Sequence, residues 1–186
     1  MNNLSTENTI EAEWHNLVCD AAKSCHQELD EDLESYLVFA LIRFTRNSNM
    51  ANSVLALEYM QGAEKTGQQK YEHLRELGDK CLLYSGLFPQ SSQRKMVNLG
   101  YYINIGISSY SQIGSLFHNG FARLYDRLAS CFVTLTDVLH SMRELGGTPV
   151  MTEAEKYSHW LEFNSQYAEQ SLKDYYGVIP FRPRNS

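Results

Sequence analysis

Apolar residues recur at intervals of three and four along the whole chain, and no stretch alternates with a period of two. That spacing puts one buried stripe on each helix and leaves no strand, so it predicts an all-α protein, a compact bundle of about six or seven helices. The first helix is expected to start near Asn8, where Asn8 and Glu11 have capping-box spacing. It carries Ile10, Trp14, Leu17, Val18, Ala21 and Cys25 on one face. Asp30 opens the second helix, with Glu31, Asp32 and Glu34 in the first turn, where the positive end of the helix dipole favours them. Leu33, Tyr36, Leu37, Ala40, Leu41 and Phe44 form its stripe. A third helix, near 50–61, is apolar around most of its circumference and should be central. Thr66 and Gln69 then read as a second capping box, opening a fourth helix on which Tyr71, Leu74, Gly78, Cys81, Leu82 and Ser85 share a side. Its small members would admit a close neighbour. Gly86 followed by Pro89 is the expected stop, glycine taking a left-handed cap and proline forbidding continuation.

The polar, basic segment 90–97 reads as a linker. A fifth helix spans about 99–117, and a sixth runs unbroken from Phe121 to Met142, ended by Gly146 and Gly147. Thr152 and Glu155 form a third capping box, and the last helix continues through Trp160, Tyr167 and Tyr175 to Gly177. No repeat of fixed period occurs, which argues against a solenoid. The reading is one helical domain over 1–186, with 178–186 as an extended tail, because Pro180 and Pro183 prevent helix there. In that tail Val178, Ile179 and Phe181 are apolar anchors beside Arg182 and Arg184, a segment expected to dock on its own domain or on a partner subunit.

Charge narrows the partners. The formal net charge is −6, with 16 Lys and Arg against 22 Asp and Glu, so a broad basic face for a phosphate backbone is missing and no nucleic acid is expected. The imbalance is local. Nine acids face Lys23 alone within the first 34 residues, a pattern read as a solvated helix face. Cys19, Cys25, Cys81 and Cys131 lack the paired spacing of a zinc site, and the last three fall on apolar faces, as small buried hydrophobes would in a reducing cytosol. The first twenty residues carry acids instead of a basic and then apolar leader, and no apolar run approaches the roughly 20 residues that span a bilayer. A cytoplasmic protein with no membrane partner is the expectation.

Motif searches give little chemistry. Gly62 and Gly67 have phosphate-loop spacing, but Gln68 and Gln69 stand where Lys and Ser or Thr belong. A calcium loop near Asp30 fails at Ser35 and Leu41. Asp137 and His140 are the nearest approach to a carboxylate-histidine pair, read as lying at the edge of the sixth helix's stripe with no second pair to match. Glu11 with His15, and Glu155 with His159, are one turn apart on what read as solvated faces. No metal or cofactor is therefore expected. Three polar residues stand out: Glu58 on the nearly all-apolar third helix, and Arg75 and Asp79, four apart beside the stripe of the fourth, expected to pair inside the bundle.

The run Gly78-Asp-Lys-Cys-Leu-Leu-Tyr-Ser-Gly-Leu-Phe-Pro89 resembles a group of uncharacterised helical proteins of gammaproteobacteria, with further echoes at 34–39, 101–110 and 132–143. The resemblance implies a bacterial cytosolic origin and carries no activity or site residues. With no catalytic motif in view, the expected function is a non-enzymatic interaction or regulatory protein. Its self-association as a homodimer is expected from the wide apolar coverage of the third and fifth helices together with Phe117, Phe121, Tyr101 and Tyr102. The alternative is an enzyme or small-molecule binder with a polar pocket between helices; a pocket lined by Glu58, Asp79 and several tyrosines would favour it.

Overall fold

The computed structural model describes residues 3–46, 65–89, 98–117, 120–148, 151–178 and 181, with side chains from residue 9 onward. These form eight helices, α1 (Asn3–Ser24), α2 (Glu31–Arg46), α3 (Gly67–Leu87), α4 (Leu99–Leu116), α5 (Gly120–Ser130), α6 (Phe132–Leu145), α7 (Glu153–Phe163) and α8 (Gln166–Tyr176), and no strand among the described residues. The all-α class is as the periodicity predicts. None of these helices is long and apolar enough to cross a membrane. The expected third helix and the 90–97 linker lie outside the described residues, and Glu58 with them.

The six predicted helices that fall on described residues become eight, because two of them are each broken once. The sixth divides at Cys131, whose backbone (φ −96°, ψ 12°) leaves the helical region. Hydrogen bonds still run from the Cys131 amide to the Arg127 carbonyl and from the Leu135 amide to the Cys131 carbonyl, so the chain kinks instead of stopping. The last divides at Asn164, in the left-handed region at φ 57°, a conformation asparagine tolerates better than most residues. Ser165 then caps α8, its hydroxyl accepting from the Ala168 amide.

Three local expectations change at helix ends. Asn8 lies inside α1, which already begins at Asn3, so it is no cap. Thr66 stands at the N-cap of α3 without a side-chain hydrogen bond to a helix amide. Gly86 is no left-handed stop; it sits within α3, where a methyl group would overlap Leu139 of α6, so its bareness serves helix approach. Gly78 under Tyr110 and Gly106 under Phe132 do the same for α3 with α4 and for α4 with α6. Other signals hold. The Asp30 carboxylate accepts the Asp32 and Leu33 amides at 3.1 and 3.2 Å, and Thr152 and Glu155 close a reciprocal capping box.

Helices α3, α4 and α6 pack on one another, α5 lies against α4, α1 against α2 and α6, and α7 and α8 pair beside α6. Tyr110, Tyr125, Phe132, Leu82, Leu83 and Leu128 are among the fully buried side chains at this junction. Each contributes about 1.5–3 kcal/mol relative to exposure. The four cysteines are free thiols. Cys25 and Cys81 are buried as expected, while Cys131 is only half-buried. Burial pushes the Cys25 thiol up to about 11.

Candidate functional site

Two polar centres lie inside the bundle. The first is built on Asp79 of α3. Its Oδ1 accepts the hydroxyls of Tyr36 (2.6 Å) and Tyr110 (2.9 Å), and its Oδ2 accepts Arg43 Nη2 at 2.7 Å, so one carboxylate joins α2, α3 and α4. Tyr125 and Tyr71 extend the cluster, with their hydroxyls 3.2 Å apart and neighbouring rings at 5.8–6.0 Å. Burial holds the Tyr36 and Tyr110 phenols well above the usual range, and the Asp79 charge adds to it. Such phenols act as hydrogen-bond donors at neutral pH, the role a buried carboxylate requires.

Spacing along α3 pairs Asp79 with Arg75, but the direct bond is made elsewhere. The guanidinium on Asp79 belongs to Arg43, while Arg75 lies 5.6 Å from the Tyr71 ring centroid in a cation–π contact. Arg75 and Asp79 share a helix, but Asp79 turns toward α2 and α4 to satisfy its buried charge. Spacing within one helix carries no information about a cation on another.

At the second centre the sequence puts Asp137 and His140 at the edge of an apolar stripe and His159 on a solvated face; the structure buries all three. Asp137, His140 and His159 are 1%, 0% and 3% exposed, brought together by α6 and α7. Asp137 accepts the Ser165 hydroxyl on Oδ1 (2.6 Å) and the Gln166 and Tyr167 amides on Oδ2 (3.1 and 3.3 Å), capping α8 from another helix. His159 Nε2 stands 3.8 Å from Asp137 Oδ1, beyond hydrogen-bond distance. His140 Nε2 is 2.8 Å from the Ser85 carbonyl. A carbonyl only accepts, so Nε2 carries the proton and Nδ1 the lone pair. The two imidazoles meet edge to face at 5.5 Å, and Tyr167 lies over His140 at 5.3 Å. The Tyr167 hydroxyl donates to Glu144, and Lys156 bonds Ser171 and faces Glu144 and Glu153, closing the outer edge with paired charges.

Why the sequence misled at this point is visible in α6. Phe132, Leu135, Val138 and Leu139 are buried together with Thr136, Asp137, His140 and Ser141, so the helix is covered nearly all round. The clue was Val133, an apolar residue off the main stripe and in line with Asp137 and His140 four and seven positions on. Glu155 does not pair with His159, because it is engaged in the Thr152 capping box while His159 turns inward. His15 faces Glu34 (3.7 Å) and Cys19 (3.7 Å) at the surface.

Burial lowers His140 to about 4, assisted by His159 and Arg143 and opposed by Asp137 and the Ser85 carbonyl. Because the unfolded value is about 6.5, the unfolded chain binds the extra proton between those pH values. Stability from this group is therefore complete above pH 6.5 and lost as pH falls through 4, in total about 3 kcal/mol. Urea midpoints of chelator-treated protein at pH 7, 5.5 and 4.5 should fall more steeply for the native sequence than for His140→Gln; equal slopes would refute it.

In the tail, the Tyr157 hydroxyl donates to the Phe181 carbonyl at 2.7 Å, and Val178 borders a groove with Ala154, Tyr157, Leu172 and Tyr176. The side chains of Val178 and Phe181 remain exposed. Ile179, Arg182 and Arg184 lie outside the described residues. Compared with known proteins, the chain matches no family model, no curated protein and no solved structure.

Proposed function

We propose that the chain is a non-enzymatic interaction protein that pairs with a second copy of itself. The observation that carries this reading is the C-terminal surface, where Tyr175, Tyr176, Val178 and Phe181 are between 55% and 79% exposed, clustered on α8 and the segment after it. Contiguous apolar surface of that kind marks interfaces. Of the residues expected at the interface, Tyr101 and Phe121 are exposed, whereas Tyr102 is buried and Phe117 half-buried, and Phe117 and Phe121 pack on Tyr71 within the subunit. A small-molecule site at Asp79 is less well supported, because Tyr36, Tyr110 and Arg43 already take both carboxylate oxygens.

Light scattering at high micromolar concentration should give the dimer mass for the native chain and the monomer mass for a Tyr175→Ser, Tyr176→Ser double variant. A native monomer at that concentration refutes the reading. A dimer that survives the double variant refutes the C-terminal surface as its seat.

A further inference from the structure

We propose that Asp137, His140 and His159 form a binding site for one divalent transition-metal ion, zinc by the chemistry of its donors, set between α6 and α7. The three offer one ligand atom each, all within 4.8 Å of one another. Two imidazole nitrogens and one carboxylate oxygen form a donor set suited to zinc and its first-row neighbours and poorly suited to calcium or magnesium.

The groups around the three are arranged as ligand supports. A histidine that binds metal through one nitrogen usually donates its other N–H to a carbonyl or carboxylate, and His140 does this through Nε2 to Ser85. Its Nδ1 is buried and has no hydrogen-bond partner among the described residues. Both ring nitrogens of His159 are in the same condition. Asp137 is fixed by Ser165 and by two amides of α8, which occupy three of its roughly four lone-pair directions and leave one on Oδ1. Across from that oxygen His159 Nε2 stands at 3.8 Å, too far for a hydrogen bond. Tetrahedral zinc with bonds of about 2.0–2.1 Å holds its ligand atoms about 3.3 Å apart, so closure of this pair needs a shift of about half an ångström. Buried polar atoms without partners are rare in folded proteins, and here three of them belong to two histidines beside one carboxylate.

The site is independent of the dimer reading, and its test does not involve oligomeric mass. Chelator-stripped full-length protein titrated with Co2+ should develop the visible ligand-field bands of a low-symmetry site at one equivalent. Zn2+ should displace them and raise the thermal midpoint. His159→Phe, which keeps an aromatic ring but no ligand atom, should lose both responses, whereas His15→Ala, at the surface group of His15, Cys19 and Glu34, should keep both. Absence of bands and of a thermal shift in the native protein would overturn the proposal, as would responses that survive His159→Phe. Should His159→Phe not fold, anomalous scattering from cobalt-soaked native crystals decides: density between α6 and α7 supports the site, and a water there or cobalt only elsewhere overturns it.

Discussion

Asp137→Ala is expected to lower the unfolding free energy by about 3–5 kcal/mol, because one substitution strips three donors of a charged acceptor in the interior. The Ser165 hydroxyl and the Gln166 and Tyr167 amides all point at this carboxylate, and the amides belong to the first turn of α8. A helix of eleven residues has little stability of its own, so losing this acceptor loosens the first turn of α8 against α6. Asp137→Asn should cost roughly half as much, because its amide oxygen still accepts from the backbone. Urea denaturation at pH 7 in the presence of chelator gives the comparison. An alanine variant within about 1 kcal/mol of the native protein would mean that α8 is held by its apolar face alone.

The second large effect is expected at Arg43. Asp79 is 2% exposed, and Arg43→Met leaves its charge with two phenols and no bonded cation, Arg75 acting on it only from a distance. Stranding a buried charge costs about 3–5 kcal/mol. The Arg43 side chain is 37% exposed, so water reaches part of the pair, and about 2–3 kcal/mol is expected. Tyr36→Phe removes one neutral donor and should cost about 1–1.5 kcal/mol. The sharper measurement is coupling to Asp79→Asn in double-mutant cycles. Arg43 should couple by more than about 1 kcal/mol, and Arg75, which rests on Tyr71, by less. The reverse order would return the ion pair to Arg75.

Those two centres show which parts of the molecule could be read from its sequence. Helix class, the Asp30 cap, the Thr152–Glu155 box and the Gly177 stop are encoded within a few residues of themselves, where spacing and dipole suffice. The kink at Cys131 has no glycine or proline to announce it, and the apolar spacing runs through it unchanged. Asp79 was legible as a buried acid; its cation was not, since Arg43 comes from a helix more than thirty residues earlier. His140 and His159 were hidden for a related reason. A histidine among apolar residues looks the same on a wet face and a dry one until the neighbouring helices are in place, and here α3 supplies the Ser85 carbonyl that fixes the His140 proton.

The cap that α6 lends to α8 also orders events in time. Translation makes Asp137 well before the amides that will satisfy it, with all of α7 in between. During that interval the carboxylate is paired only with water, and burying α6 against α1 and α3 would strand a charge. The newborn chain therefore has reason to keep this side of the bundle open until the first turn of α8 arrives. The closing step is then the meeting of one carboxylate with two amides and a hydroxyl made 28 to 30 residues later.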